Sequence, residues 1–328
     1  MSAHSTQLNQ FPKRTVILTT AMGYSADIVS PLLSSIERFS PEADVVLFVD
    51  ETQRDMLALI GGLKINITII GLKTWRRTFR EICGKRYKLA NAASAMVAMI
   101  PLSWNVRHIA AKLLLHPCTL RYLLYAQWLR RNSDQYDQVF MIDARDVMVL
   151  GDLTKLTLKS VTLAEESLCV HEEPMNLSWL YGIGNQPIQT FNILRYKIIC
   201  SGVIAAPIPD GIEFLEDYSS HVIARIAEIG NRYALDQAVV NWLLRTTNWS
   251  QRANVLPFKN EMIMNLGTTS LREIADWINN GVLQEKNLPL VLHQYDRLPM
   301  LDQALRKWLE FGVRGQLFGI EPNNMSRA

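Results

Sequence analysis

The sequence has little of what marks a secreted, membrane-spanning or nucleic-acid-binding chain. Its four cysteines, Cys83, Cys118, Cys169 and Cys200, form no C-x-x-C pair and no zinc-type spacing, so free thiols in a reducing compartment are expected. No stretch reaches the roughly eighteen apolar residues of a membrane span. Ala92 to Leu102 comes nearest, and Ser94 and Pro101 interrupt it. The opening MSAHSTQLNQFPKRT is polar and lacks the apolar centre of a signal peptide. The expectation is a cytoplasmic protein with at most peripheral membrane contact. A formal charge of +3 is too small to argue for nucleic acid. Neither G-x-G-x-x-G nor G-x-x-x-x-G-K-[ST] is present, which removes two common phosphate cradles. There is no internal repeat and no low-complexity segment.

What is present suits a buried core. The chain has 328 residues, 48% hydrophobic and 20% charged, enough for one large α/β domain or two modest ones. Thr15 to Ala21 reads as a strand, Ile28 to Ile36 as a helix, and Asp44 to Asp50 as a second strand. A helix over 52–61 and a third strand over Ile65–Ile70 continue the alternation, which predicts a mostly parallel sheet with helices on both faces. Leu120 to Arg131 reads as a helix. A strand is expected near Leu168–Val170, a loop region over 171–195, and an apolar strand over Ile198–Ala205 broken by Ser201-Gly202. Helices follow at Ile212–Ile229 and Leu235–Leu244, then an apolar run Leu288–Leu292 and an amphipathic helix near Leu301–Phe311.

The most informative stretch is VFMIDARDVMVLGDL, residues 139–153. Four consecutive apolar β-formers, Val139 to Ile142, read as a buried strand, and Asp143 and Asp146 lie at its carboxyl end. Open α/β sheets place their ligand crevice there. Two acids on one turn suit Mg²⁺ or Mn²⁺ holding a diphosphate; the plainer reading is a solvated surface turn. His293 directly follows an apolar run and is either a third ligand or a packed histidine. Asp236, before Gln237 at a helix start, is either a site residue or a cap. Lys73, Arg76, Arg77, Arg80, Lys85 and Arg86 surround Trp75 and Phe79. That run faces a phosphate-rich ligand, a membrane surface, or only water. Glu172-Glu173 are candidates for an acceptor hydroxyl or a solvated pair, and Trp179, Tyr181 and Trp249 are candidate sugar platforms.

The order of these segments resembles the nucleotide-diphospho-sugar glycosyltransferases of the A-type fold, nearest the glycogenin-like and lipopolysaccharide-galactosyltransferase-like group. The resemblance covers roughly residues 14–300. It rests on the strand Leu18-Thr19-Thr20-Ala21, Arg121 in a helix before the acidic strand, Asp143/Asp146, Cys200-Ser201-Gly202, Asp236-Gln237 with Asn241, and His293. The family's Asp-x-Asp has here one inserted residue, its Asn-Ser-Gly is Cys-Ser-Gly, and its His-Phe-x-Gly-x-x-Lys is His-Gln-Tyr-Asp-Arg. Arg297 is the nearest replacement for the missing lysine.

The resemblance implies a Rossmann-like mixed, mostly parallel sheet flanked by helices. It also implies a single domain over 14–328 behind a polar tail, 1–13. Within it, 14–153 would bind nucleotide, 154–300 the donor sugar and acceptor, and 301–328 would form a terminal helix and tail. The implied activity is metal-dependent transfer from a nucleotide-diphosphate sugar, UDP-linked, to a glycan, lipid or protein acceptor. Asp143, Asp146 and His293 would hold Mn²⁺ or Mg²⁺. Thr19, Thr20, Ala21, Arg121, Asp143, Ser201, Gly202 and Arg297 would contact the donor, with Arg121 or Arg297 on its diphosphate. Asp236 and Gln237 would face the reacting sugar, Asp236 stabilising charge on the ring or taking the acceptor's proton. Arg145 would meet a phosphate or brace a carboxylate. Two alternatives stand beside this one: a degenerate nucleotide-sugar-binding or scaffolding domain, and a sugar-phosphate nucleotidyltransferase. The second requires a Gly-rich basic loop after the first strand, which Thr19-Thr20-Ala21-Met22-Gly23-Tyr24 does not match.

Overall fold

A computed structural model describes residues 14–50, 61–72, 93, 96–97, 104–183, 192–229, 232, 235–279 and 288–311. The N-terminal tail, most of the expected 52–61 helix, the basic run 73–86 with Cys83, and residues beyond 311 lie outside them.

Apolar β-branched runs build the centre. Strands β1 (Thr15–Thr20), β2 (Asp44–Asp50), β3 (Ile67–Leu72) and β4 (Gln138–Asp143) are parallel and adjoin in the order β3-β2-β1-β4. That is the order of a Rossmann half, and strand order reverses beside β1. The carboxyl ends of β1 and β4 therefore meet at the switch point, with Thr20 opposite Asp143 in the ladder. Two further strands, β6 (Thr162–Cys169) and β8 (Val203–Pro207), extend the sheet. β8 runs antiparallel to β4 and to β6, and β7 (Lys197–Ile199) antiparallel to β6. β9 (Asn254–Leu256) completes eight strands. The molecule is α/β with a mixed, mostly parallel central sheet flanked by helices.

Helices α2 (Trp104–Leu114), α3 (Pro117–Asn132), α4 (Pro174–Ile183), α5 (Ile208–Ala224) and α6 (Leu235–Thr246) follow α1 (Ala26–Phe39) in the chain. Alternate residues of β1 and β4 divide the core, as a pleated strand requires. Val16, Leu18, Val139 and Met141 pack with α3, α5 and α6, whereas Ile17, Phe140 and Ile142 pack with α1.

A three-stranded second sheet lies on the α1 side, in the order β10 (Ile263–Asn265), β11 (Val291–His293), β5 (Val147–Val149). Val147 and Val149 face the central sheet, and Met148 faces helix α8 (Pro299–Phe311), which follows α7 (Leu271–Asn279).

Four expectations need correction. Residues 174–183 form a helix, not a loop: Glu173 accepts from the Asn176 amide at 2.6 Å and Pro174 occupies the first position, where its missing N–H costs nothing. The strand expected near 168–170 runs over 162–169; the acids Glu165 and Glu166 interrupt its apolar pattern and hide its first half. The helix expected at 212–229 begins at Ile208 and stops at Ala224, followed by a separate four-residue helix, Ile226–Ile229. The third strand, expected over 65–70, runs over Ile67–Leu72.

Besides apolar packing, a serine ties the edge strand β5 to α1 by hydrogen bonds. Buried Ser35 donates to Leu32 O at 2.7 Å and accepts the Val149 amide at 3.0 Å. Ser35→Ala leaves that amide buried and unpaired, and is expected to cost about 1–3 kcal/mol. Chemical denaturation checks this, since an unchanged midpoint would show that β5 does not need the tether.

Candidate functional site

The turn Asp143-Ala144-Arg145-Asp146 separates β4 from β5, which belong to different sheets. The chain cannot continue β4, because β5 pairs antiparallel with β11, Val147 facing His293. The Gln294 amide donates to Asp146 O at 2.7 Å, and Gln294 takes a left-handed φ of 63° to reach it. The Asp143 amide is held in turn by Gly202 O at 2.8 Å. Both carboxylates thus face one imidazole: His293 Nε2 lies 3.4 Å from Asp146 Oδ1 and 3.8 Å from Asp143 Oδ2.

Asp143, Asp146 and His293 could hold a metal ion, their ligand atoms all lying within 4.8 Å of one another. The surroundings fit an ion. His293 Nε2 is buried and has no hydrogen-bond partner, a costly arrangement for a polar atom unless it ligates. A Cβ on Gly202 would stand 2.2 Å from His293 Cε1, so only glycine leaves room for the ring.

The trio opens onto a cavity of about 330 Å³. Of Thr19, Thr20 and Ala21 only Thr20 lines it, with its hydroxyl 2.8 Å from that of Tyr125. Thr19 and Ala21 are fully buried, and the Ala21 amide is taken by Phe48 O at 2.8 Å. Strand alternation turns their side chains away.

Arg121 reaches the cavity from α3 and is not turned to solvent. Nη1 contacts Asp143, and Nη2 donates to Asp236 Oδ2 at 2.9 Å and to Ser201 O at 3.3 Å. Burial opposes its charge, but the Tyr122 hydroxyl and Asp236 hold its pKa well above the ordinary value. Its fork is spent on two carboxylates rather than held open for a phosphate.

Asp236, in the first turn of α6, does not cap that helix. Its Oδ2 accepts from Arg121 and, at 3.2 Å, from the Ser201 hydroxyl. Gln237 is saturated: Nε2 donates to Asn176 Oδ1 at 2.7 Å and Glu166 Oε1 at 3.2 Å, while Oε1 accepts the Ser201 amide at 3.4 Å. It fixes the Ser201-Gly202 break instead of offering a free amide. Asn241 works similarly, accepting from Ile199 N at 2.8 Å and donating to Ile199 O at 2.7 Å.

Arg145 braces Asp296 at 2.8 Å. Arg297 is exposed at the cavity mouth, donates to Gly267 O at 3.2 Å, and makes no ion pair with a described residue. Trp179 lines the cavity. Trp249 does not; it is buried against Phe214 and donates to Asp217 at 2.8 Å. Exposed Tyr181 is also absent from the lining. Glu172 and Glu173 are occupied with the backbone amides of Cys169 and of Met175 and Asn176. Cys118, Cys169 and Cys200 carry thiols, and no described helix is long and apolar enough to cross a membrane.

Sequence reasoning missed Tyr122, Glu166, Asn176 and Asn265. Tyr122 donates to Ser201 O at 2.7 Å. Glu166 is buried behind Gln237, and that burial holds its carboxyl above the usual range. No motif marks an isolated polar residue in an apolar strand or helix. No protein-family model matches the chain, and no curated protein matches it. The residues themselves carry the functional argument.

Gly202→Ala tests the geometry. The added methyl must displace the His293 ring, so the variant should fold yet bind Mn²⁺ at least tenfold more weakly by calorimetry. Unchanged affinity would mean that His293 is not a ligand.

Proposed function

We propose that this protein is a metal-dependent glycosyltransferase of the A-type fold, using a nucleotide-diphosphate sugar, UDP-linked, as donor and a carbohydrate-containing acceptor. The observation that carries the proposal is the Asp143–Asp146–His293 constellation at the sheet's switch point, opening onto a cavity walled by Asp236 and Arg297. The mixed sheet and the chain order of Asp143/Asp146, Ser201-Gly202, Asp236-Gln237 and His293 support it.

A divalent ion at the trio, Mn²⁺ or Mg²⁺, would neutralise charge building on the leaving diphosphate. The protein's own groups do the rest. Arg297, at the mouth and in no ion pair with a described residue, is available to phosphate oxygens. Arg121 holds Asp143 and Asp236 in a fixed relation across the cavity. Gly202, lacking a side chain, leaves the His293 ring its place beside Asp143 at the cavity wall. Asp236 commits Oδ2 to Arg121 and Ser201, and among the described residues Oδ1 accepts no hydrogen bond. That free oxygen can face positive charge on the sugar ring or receive the acceptor's proton. Gln237 supports this arrangement from behind. Trp179 offers an apolar face to a sugar.

Donor hydrolysis across a panel of nucleotide sugars, with Mn²⁺ and with chelator, tests the reading. One donor should release its nucleoside diphosphate only with metal, and Asp146→Asn should abolish that release with the fold intact. Asp236→Asn should cut turnover by about 10²–10⁴-fold while metal and nucleotide affinity stay near wild type. Full turnover by Asp146→Asn in chelator would overturn the metal assignment. Metal-dependent donor binding without any turnover would make the protein a nucleotide-sugar binder instead.

A further inference from the structure

Asn265 lies directly opposite His293 in the parallel β10–β11 ladder, and only 1% of its surface is exposed. Its amide nitrogen faces two backbone carbonyls, Ala164 O at 3.1 Å and Glu165 O at 3.3 Å. Rotating the amide by half a turn would set its oxygen against those two oxygens, with no proton between. The orientation is therefore dictated by β6, and Oδ1 must point the other way. It points at His293 Nδ1, 2.9 Å distant.

A carbonyl oxygen can only accept, so the proton of a neutral imidazole must sit on Nδ1. The Cys200 sulfur also lies 3.3 Å from Nδ1, but its thiol has a separate acceptor in Gln237 Oε1 at 3.5 Å. The remaining lone pair is on Nε2, aimed at Asp146 and Asp143. Three Lewis bases then converge with no proton among them, an arrangement that a cation satisfies.

We propose that Asn265 is the positioning residue of the metal site: it fixes His293 in the Nδ1–H tautomer and so presents Nε2 as a ligand. This rests on the metal reading above and extends it to a residue outside the coordinating trio. Partners of this kind typically affect metal affinity by 10–100-fold. The arrangement also joins β6 of the central sheet to the small sheet through one side chain, so the ring's orientation is set by both.

The test compares wild type, Asn265→Ala and Asn265→Asp, with Mn²⁺ alone as ligand in calorimetry and ¹⁵N-imidazole NMR of the metal-free proteins. Wild-type His293 should carry its proton on Nδ1. Asn265→Ala should bind Mn²⁺ 10–100-fold more weakly and lose the single tautomer. Asn265→Asp keeps an acceptor for Nδ1–H but turns its second oxygen against Ala164 O and Glu165 O, so it should keep the Nδ1–H tautomer even where it costs stability. A merely structural role predicts instead that Asn265→Ala loses affinity with its tautomer unchanged. An Nε2–H tautomer in wild type overturns the proposal even if no variant folds. Wild-type affinity in Asn265→Ala overturns it while leaving the metal site standing. Absence of Mn²⁺ binding by wild type, with Nδ1–H observed, overturns the metal reading and this proposal's ligand role together.

Discussion

The arrangement depends on the pairing of β5 with β11. A strand ending in an acid is common in α/β sheets; here the chain leaves that sheet at once and enters a second one. The two sheets share a core of β1, β4, β5 and β11 side chains, with Val147, Val149 and Val291 packed against Ile17 and Phe140. Hydrophobic burial fixes which face of β5 turns inward, and a slip of one residue would turn Met148 toward the central sheet. Register therefore places His293 beside the Asp143–Asp146 turn, although the residues are far apart in sequence. The convergence of these three side chains is a by-product of apolar packing, secured by the Gln294 amide on Asp146 O.

Charge is the second constraint. Asp143, Asp146 and Asp236 wall one cavity with Arg121, Arg145 and Arg297. Arg121 is committed to Asp143 and Asp236, and Arg145 to Asp296. Carboxylates brought this close repel one another, and a buried guanidinium is tolerated only when paired. Each arrangement answers the other: Arg121 allows Asp143 and Asp236 to face the same space, and they allow Arg121 to be buried. Arg297 is left at the rim, where an anion would approach.

Much of this was legible from residue types and order. The run Val139–Ile142 ending in acids, the Ser201-Gly202 break and the strand carrying His293 each signal themselves by periodicity or by a small residue in an apolar stretch. The insertion in Asp143-Ala144-Arg145-Asp146 did not by itself show where the two carboxylates point; the change of sheet turns both toward His293. Roles of the long polar side chains were less legible. Arg121 and Gln237 read as ligand-facing, but their partners, Asp236, Glu166 and Asn176, come from other elements and only tertiary pairing reveals them. Asn265 and Tyr122 carry no motif, since one buried polar residue in an apolar segment looks like noise in a periodicity. The helix 174–183 was hidden because Pro174 and Gly182 read as loop residues, whereas proline at a helix start is favourable.

The most direct measurement is anomalous diffraction at the manganese edge from crystals grown with Mn²⁺. The account predicts one ordered peak about 2.0–2.4 Å from carboxylate oxygens of Asp143 and Asp146 and from His293 Nε2. Ordered manganese bound elsewhere in the protein, with Arg121 still on Asp143 and no density between the three side chains, would contradict it.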